Sequence, residues 1–441
     1  MSSETFGEIT LERILARGNL MRALKKVEAN KGSCGVDGME TSELRAYFKA
    51  NPGKLTEQIL QGTFKPSPIR RVYIPKDNGE QRPLGIPTVI DRFVQQAIAL
   101  VLSEEYEKIF VDHSYGFRPN RDCRQAVRRA VEHIREGYEW VIDIDLRKFF
   151  DTVNHDFLVQ LLSRRIKDGR VISLIHKFLR APISEEGKVG KANQLGCPQG
   201  GIISPVCANI VLHELDRKLQ QKNMRACRYA DDAVIFCKSR KAAERALKWI
   251  KKFIESKLHL RVNEDKTKIL KIGSPDVQFL GFSFTTKVSK AKKVKFPQYR
   301  YFPTVHVKKY KKLKESLRIL LDRRAPGGID RIKRKLRLKL RGWANYFKKA
   351  VPIRWVQDLD SWIRRRVRQL LWKQWKKPIN RYRELKLRWN KAPNVEQFAY
   401  SSNRYWHIAA CRPVHAGLSN NVLESEGWYS LERALRTASG T

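Results

Sequence analysis

The sequence predicts an α+β region over residues 1–280 followed by an all-α, strongly basic one. Three observations carry that division. Strand-like and helix-like apolar rhythms mix in the first part, whereas apolar residues beyond Pro303 recur at helical spacing. Charge is divided unequally: residues 1–280 hold 49 Lys+Arg against 35 Asp+Glu, a net of +14, while residues 281–441 hold 40 against 10, a net of +30. Eight of the ten tryptophans also lie in the second part. The join falls near Lys287–Pro303, a lysine-rich stretch with no clear periodicity.

The first region reads as follows. Leu11–Ala29 and Arg92–Ile109 are helical by periodicity. Arg70–Pro75, Trp140–Asp145, Cys227–Cys237 and Phe279–Phe284 are strand-like, rich in β-branched and aromatic residues and flanked by turn breakers. In the second region Tyr310, Leu313, Leu317 and Leu320 form one helical stripe. Ile329, Ile332 and Leu336 form another, set off by Pro326-Gly327-Gly328. A third helix after Pro352 is expected to bury Trp355, Leu359, Trp362 and Val367. Basic residues fill the remaining faces, Arg334, Lys335 and Arg337 among them, and the tryptophans are expected in the core rather than as stacking platforms.

Composition narrows the partners. The net charge of +44 over 441 residues needs an anionic partner to offset self-repulsion. Nucleic acid is the first candidate and an anionic membrane surface the second. No run of about 18 apolar residues exists to span a bilayer, so no membrane partner is expected. The seven cysteines are scattered and form no C-x-x-C pair, against both a disulfide framework and structural zinc.

The sharpest chemistry lies where acids interrupt apolar strands. One segment runs Trp140-Val-Ile-Asp-Ile-Asp145 and continues to Asp151; the other runs Cys227-Arg-Tyr-Ala-Asp-Asp232 and continues to Cys237. A buried unpaired carboxylate is costly unless something positive compensates it. A hairpin turning at Asp231-Asp232 and packed beside the first strand would bring both acids close to Asp145. Three such carboxylates suit hard divalent cations, magnesium above all, and two ions can drive an in-line displacement by a 3′-hydroxyl.

Tyr229-Ala230-Asp231-Asp232 resembles the catalytic box of reverse transcriptases, and the chain is similar to the group II intron-encoded reverse transcriptase/maturases of the bacterial, endonuclease-free type. The likeness runs in order along nearly the whole length. Gly18 to Gly38 resembles the N-terminal extension, Ile74 to Pro87 the first fingers motif, and Ser114 to Pro119 the second. Asp145 to Asp151 fits Asp-x-x-x-Phe-Phe-Asp, and Pro198 to Pro205 fits Gln-Gly-x-x-x-Ser-Pro. Asn263 to Ile269 and Phe279 to Phe282 match later palm motifs; Arg341 to Phe347 falls in the maturase, or thumb, region.

The resemblance implies a right-hand polymerase: an N-terminal extension of the fingers over 1–60, fingers and palm over 61–285, a helical thumb/maturase domain over 286–390 and a small C-terminal extension over 391–441. It implies Asp145 and Asp231 as metal ligands, the Leu146 carbonyl as a further one, and Asp232 at the primer end. Asp143 is the rival for the first ligand; Asp145 is preferred because the Phe-Phe-Asp spacing counts back to it. Magnesium is the expected ion, with manganese as a substitute. Lys76 and Arg82 would clamp the incoming deoxynucleoside triphosphate, or else be exposed basic residues on a hairpin. Phe150 would lie under the sugar, or else be a core aromatic. Gln199 would approach the nucleotide and template, and Lys266 would protonate the pyrophosphate, a solvated lysine being the alternative. Arg334, Lys335 and Arg337 would bind RNA.

The implied function is an RNA-directed DNA polymerase that binds group II intron RNA, promotes its splicing and copies it by target-primed reverse transcription. Its partners would be intron RNA, RNA template, DNA primer and target DNA, within a cytoplasmic bacterial ribonucleoprotein. The alternative is primarily a splicing cofactor with secondary polymerase activity, and the retained Asp145, Asp231 and Asp232 favour the former.

Overall fold

The computed structural model describes residues 6–75, 79–285, 302–324, 327–388, 395–401 and 404–437. The chain divides into two compact units, one running to Leu280 and the other beginning at Gly281.

The first unit opens on helices. Thr10 caps Leu11–Leu15 by accepting from the Arg13 N–H. The backbone leaves the helical region at Ala16 before Arg17–Asn30 begins, so the single helix expected over 11–29 is two. Val89–Glu107 is buried along most of its length. Its strands are β1 (Ile69–Pro75), β2 (Gln81–Ile86), β3 (Trp140–Ile144), β4 (Ile183–Glu185), β5 (Lys188–Val189), β6 (Arg225–Tyr229), β7 (Asp232–Cys237) and β8 (Lys268–Lys271). They form two four-stranded sheets, ordered β2-β1-β4-β5 and β6-β7-β3-β8. The second is antiparallel throughout. Helix Arg240–Lys257 packs on β3, β7 and β8, and helix Ser204–Gln221 on β6. Ile142, Ile144 and Ile235 meet Leu212, Ile250 and Ile254 in one core.

In the second unit β9 (Phe282–Thr285) pairs antiparallel with β10 (Phe302–Val305). Helices Val307–Leu320, Ile329–Phe347, Ile353–Gln374 and Pro378–Arg388 follow. The first two bury the stripes expected of them, Leu313 and Leu317, then Ile332, Leu336 and Leu340. On Ile353–Gln374 the buried line is Val356, Leu359, Ile363 and Val367. Trp355 and Trp362 therefore flank the stripe rather than form it, because their size lets them cover its edges while their polar tips stay near water. Short helices from Val395–Ala399 to Leu431–Thr437 complete the unit. They build no core of their own: Ile408, Val414, Leu423 and Trp428 join the same cluster as Leu336 and Val367. Buried Asp360 ties them down, accepting from the Leu431 N–H at 3.1 Å and the Ser430 hydroxyl at 3.0 Å. Among the described residues no helix is long and apolar enough to cross a membrane.

One buried polar network locks the β6–β7 hairpin onto the helix behind it. Arg228, on β6, is 2% exposed. Its Nε donates to Asp216 at 2.9 and 3.0 Å, and its Nη2 also pairs with that carboxylate. Nη1 donates to Asn209 Oδ1 at 2.9 Å and to the Ala230 carbonyl at 2.8 Å, and Nη2 reaches the Ser114 hydroxyl at 2.7 Å. All five guanidinium N–H groups can be satisfied by these partners. Asn209 and Asp216 are seven apart on one helix, two turns along the same face, which is why one arginine meets both. Removing one partner of a buried pair strands the other charge and costs about 3–5 kcal/mol, whereas replacing both with apolar residues costs far less. Arg228→Met should therefore lower unfolding stability by that amount, and Arg228→Met with Asp216→Leu should recover most of it in chemical denaturation. Equal losses in the single and double variants would show that the pair is not what holds the hairpin.

Candidate active site

Strand register brings the predicted acids to one edge of the β6-β7-β3-β8 sheet. β3 and β7 pair in antiparallel register from Trp140↔Cys237 to Ile144↔Ala233. Asp145 and Asp232 are the next residues at that edge, and the Asp145 charge acts on Asp232. Residues two apart share a face, so Asp143 lies on that face too, opposite Val234 on β7 and Lys268 on β8. Tyr229 pairs with Asp232 across a two-residue turn, Ala230-Asp231, which leaves Asp231 exposed at the tip. Ala230 has φ +59°, a left-handed conformation that glycine usually takes at such turns. The strain is offset by the Arg228 bond to its carbonyl and by tight packing from the other side. A Cβ on Gly116 would stand 2.2 Å from the Ala230 nitrogen, so only glycine lets segment 114–116 close on the turn. The Tyr115 N–H then donates to the Arg228 carbonyl at 2.8 Å, and the Arg228 N–H to the His113 carbonyl at 2.8 Å.

Asp145 is held from the segment 261–267. Asn263 Nδ2 donates to Asp145 Oδ2 at 2.9 Å, and Lys266 Nζ lies 3.7 Å from the same oxygen. The Asn263 N–H donates to the Asp145 carbonyl, and the Arg147 N–H to the Arg261 carbonyl, each at 2.8 Å. The Leu146 carbonyl takes no part in either bond.

Like charges at this edge shift proton affinity. Burial pushes the Asp232 carboxyl up to about 7, reinforced by Asp143, Asp231 and Asp145. Burial and then Asp145 push Asp143 up to about 6, against the opposing Lys268. This is the chemistry of a cation site: several oxygen donors facing one another with more negative charge than Lys266 and Lys268 offset. Among the described residues no three His, Cys, Asp or Glu side chains converge as a ready metal cage. A small hard ion that keeps waters and takes one or two carboxylates plus substrate phosphates requires no such cage, so the donors present fit it.

A cavity of about 280 Å³ lies between β1–β2 and the loop before helix Ser204–Gln221, lined by Arg71, Gly85, Lys148, Phe150, Asp151 and Gln199 among others. The cavity wall includes both Phe150 and Gln199. Gln199 Nε2 is 3.5 Å from Asp151 Oδ1, and its carbonyl accepts from the Gly85 N–H at 2.6 Å. A Cβ on Gly200 would sit 2.1 Å from the Gly85 carbonyl, which explains that glycine. Arg82 is exposed on β2 and does not line the cavity, while Lys76 lies outside the described residues. Arg71 and Lys148 supply the cavity's positive charge instead. Arg71 could have been suspected from the Arg70-Arg71 pair opening an otherwise apolar strand; Lys148 carried no signal. Arg334, Lys335 and Arg337 are exposed on Ile329–Phe347, around buried Leu336.

The raised carboxyls also predict how stability follows pH. Folding lifts Asp232 and Asp143 above the unfolded value near 4, so the folded chain binds more protons in this window. Stability from this source is full below about pH 4 and is lost as pH rises toward about 7. With chelator present, Asp232→Asn should raise the thermal midpoint at pH 8 and flatten its decline with pH. A midpoint that falls as steeply in the variant as in the parent would remove Asp232 from this explanation.

Comparison with known proteins converges on one family. A family model described as reverse transcriptase (RNA-dependent DNA polymerase) matches residues 74–284, and one described as the group II intron maturase-specific domain matches residues 310–389. Protein YkfC of Escherichia coli (strain K12) is 34% identical over 325 residues, covering 65% of this chain and 84% of that protein. The group II intron-encoded protein LtrA of Lactococcus lactis subsp. cremoris is 35% identical over 237 residues, 53% of this chain and 39% of LtrA. A putative COX1/OXI3 intron 2 protein of Saccharomyces cerevisiae is 35% identical over 210 residues, 46% of this chain and 24% of that protein. The chain thus spans well under two thirds of those two intron proteins. With a polymerase domain followed by a maturase domain, and paired aspartates at the sheet edge where the polymerase box falls, the chain belongs to the group II intron-encoded reverse transcriptase/maturases.

Proposed function

We propose that this chain synthesises DNA on an RNA template at the Asp145–Asp231–Asp232 edge, and grips intron RNA with the basic helices of its second unit. The observation that supports the first part is the β3–β7 register ending at Ile144↔Ala233, which leaves Asp145 and Asp232 next in line at one sheet edge, with Asp231 exposed beside Asp232. Two magnesium ions, manganese substituting, would be held by Asp145, Asp231 and the Leu146 carbonyl, completed by waters and substrate phosphates. Such ions, when bound, stabilise the attacking and leaving oxygens of an in-line displacement. Asn263 fixes the Asp145 carboxylate so that it need not reorganise during reaction. Lys266, exposed and only loosely paired with Asp145, is free to swing toward the pyrophosphate and give it a proton. Lys76 and Arg82 hold the triphosphate, with Arg71 and Lys148 adding charge from the cavity wall. Phe150 lies under the sugar, and Gln199 steadies the nucleotide and template backbone. The fingers and palm are assigned to residues before 285 and the thumb to the helices after 302. On this reading the protein also promotes intron splicing and copies the intron by target-primed reverse transcription.

The two activities should separate. Asp231→Ala with Asp232→Ala should make no cDNA yet splice at the parental rate, because intron RNA is gripped away from the carboxylates. Arg334, Lys335 and Arg337 changed to Gln should impair splicing and flatten the dependence of RNA affinity on salt, by roughly 0.7–0.9 log units per log salt for each phosphate no longer neutralised. Primer extension on poly(rA)/oligo(dT) and splicing, run on the same preparations, decide it; a folded double-aspartate variant that cannot splice sinks the division. Phe150→Val should raise ribonucleotide over deoxynucleotide incorporation. An unchanged ratio with activity retained would return Phe150 to the core.

A further inference from the structure

Among the described residues, the second unit carries an arginine that donates no hydrogen bond and a tryptophan that is not buried, and they meet. Trp406, on helix Tyr405–Ile408, is 36% exposed. The guanidinium of Arg365 lies over its ring at 4.0 Å, pinned there by Nε and Nη2 donating to the Trp406 carbonyl at 3.2 and 2.9 Å. Arg366 sits 5.2 Å from the Trp406 ring and 5.4 Å from that of Trp362. Among the described residues Arg366 forms no hydrogen bond or ion pair, and its Nε is buried without an acceptor. That nitrogen is closed to solvent, but the two terminal nitrogens of the guanidinium are equally unbonded and are not closed off, so they can meet an anion. The surroundings favour that anion: burial and then Arg318 push the Arg366 guanidinium below its ordinary value, against Asp322, whose carboxylate also pairs with Arg324 at 3.5 Å.

We propose that Trp406 and Arg366 form a site for one unpaired nucleotide of single-stranded RNA, the base stacking on Trp406 and its phosphate bound by Arg366. The proposal rests on the intron-RNA reading above and names where an unpaired residue of that RNA is held. Arg365 holds the indole rigid, so little freedom is lost when a base stacks on it. Duplex bases are already stacked on one another, which restricts the site to single strands. Trp406 lies beyond the residues matched by the maturase-specific family model, which end at 389.

The test uses the full chain with an unstructured 12-residue oligouridylate and a blunt RNA duplex as probes. Trp406→Leu should weaken oligouridylate binding on the order of tenfold, since aromatic stacking of a base is worth about that much or more. Trp406→Phe should keep most of the affinity. Arg366→Gln should weaken it as well and reduce its log–log salt slope by about 0.7, the value for one single-strand phosphate. Duplex affinity should change less than about twofold in all three, as expected where a substitution touches nothing that binds. If Trp406→Leu proves misfolded by thermal melting, Arg366→Gln alone decides. Oligouridylate binding at parental strength in Arg366→Gln, or equal losses for duplex and single strand, overturns the site. Primer extension by the parent, measured alongside, reports separately on the polymerase reading: its failure would leave the oligouridylate result standing.

Discussion

The ion pair between Arg228 and Asp216 is the fixed point of the first unit. The β6–β7 turn is an awkward object to fold. Its central alanine is left-handed, its two aspartates adjoin, and a third and fourth carboxylate face them from β3. Every one of these features pushes the turn toward opening. What opposes them acts from the other side of the sheet, where one arginine bonds the turn's own carbonyl and anchors it to two turns of the helix behind. The cost of burying that charge is met locally by a carboxylate, an amide and a hydroxyl, so the arginine behind the turn does not neutralise the acids in front of it.

This division of labour explains what was legible in the sequence and what was not. Strands β1 and β3 and the turn between β6 and β7 could be read, the last two because acids inside apolar runs are anomalies that demand a local explanation. Strands β2, β4, β5, β8 and β10 were not singled out, and the strand expected over Phe279–Phe284 begins only at Phe282. Arg228 stood in plain view beside Tyr229 and was not singled out. A basic residue within a strand carries no sign of the partner it will find, and Asp216 sits on a helix whose pattern is otherwise ordinary. The helix break at Ala16 has no proline to announce it, and the nearby Gly18 falls inside the second helix rather than at the break. Trp355 and Trp362 misled by size: counted as apolar, they shift the stripe on Ile353–Gln374 by one position. The last helices looked like a separate piece because polar and small residues dilute their periodicity, yet Ile408, Val414 and Leu423 belong to the preceding core.

The second unit handles charge in the opposite way. Its acids are few and mostly engaged inside the fold: Asp360 and Glu424 with Arg364, Glu384 and Glu426 with Arg388, Glu432 with Arg436. Several of its arginines and lysines lie against tryptophan and tyrosine rings, as Arg381 does on Trp372 and Lys333 on Trp428. These interactions hold basic side chains in place without neutralising them. The surface of Ile329–Phe347 therefore keeps its positive field, and association with a polyanion is favoured before any specific bond forms.

Gly116 has a consequence for how such an enzyme can change over time. Because its backbone rests on Ala230 with no room for a methyl group, the loop and the turn can only drift together. Arg118 extends that rigidity by holding the Val111 and Ser114 carbonyls at 2.6 and 2.8 Å while pairing with Glu107. A lineage exploring new template or nucleotide preferences has little latitude in this stretch. Variation meets less resistance at the cavity wall, where the exposed side chain of a residue such as Lys148 is not packed beneath a neighbouring turn.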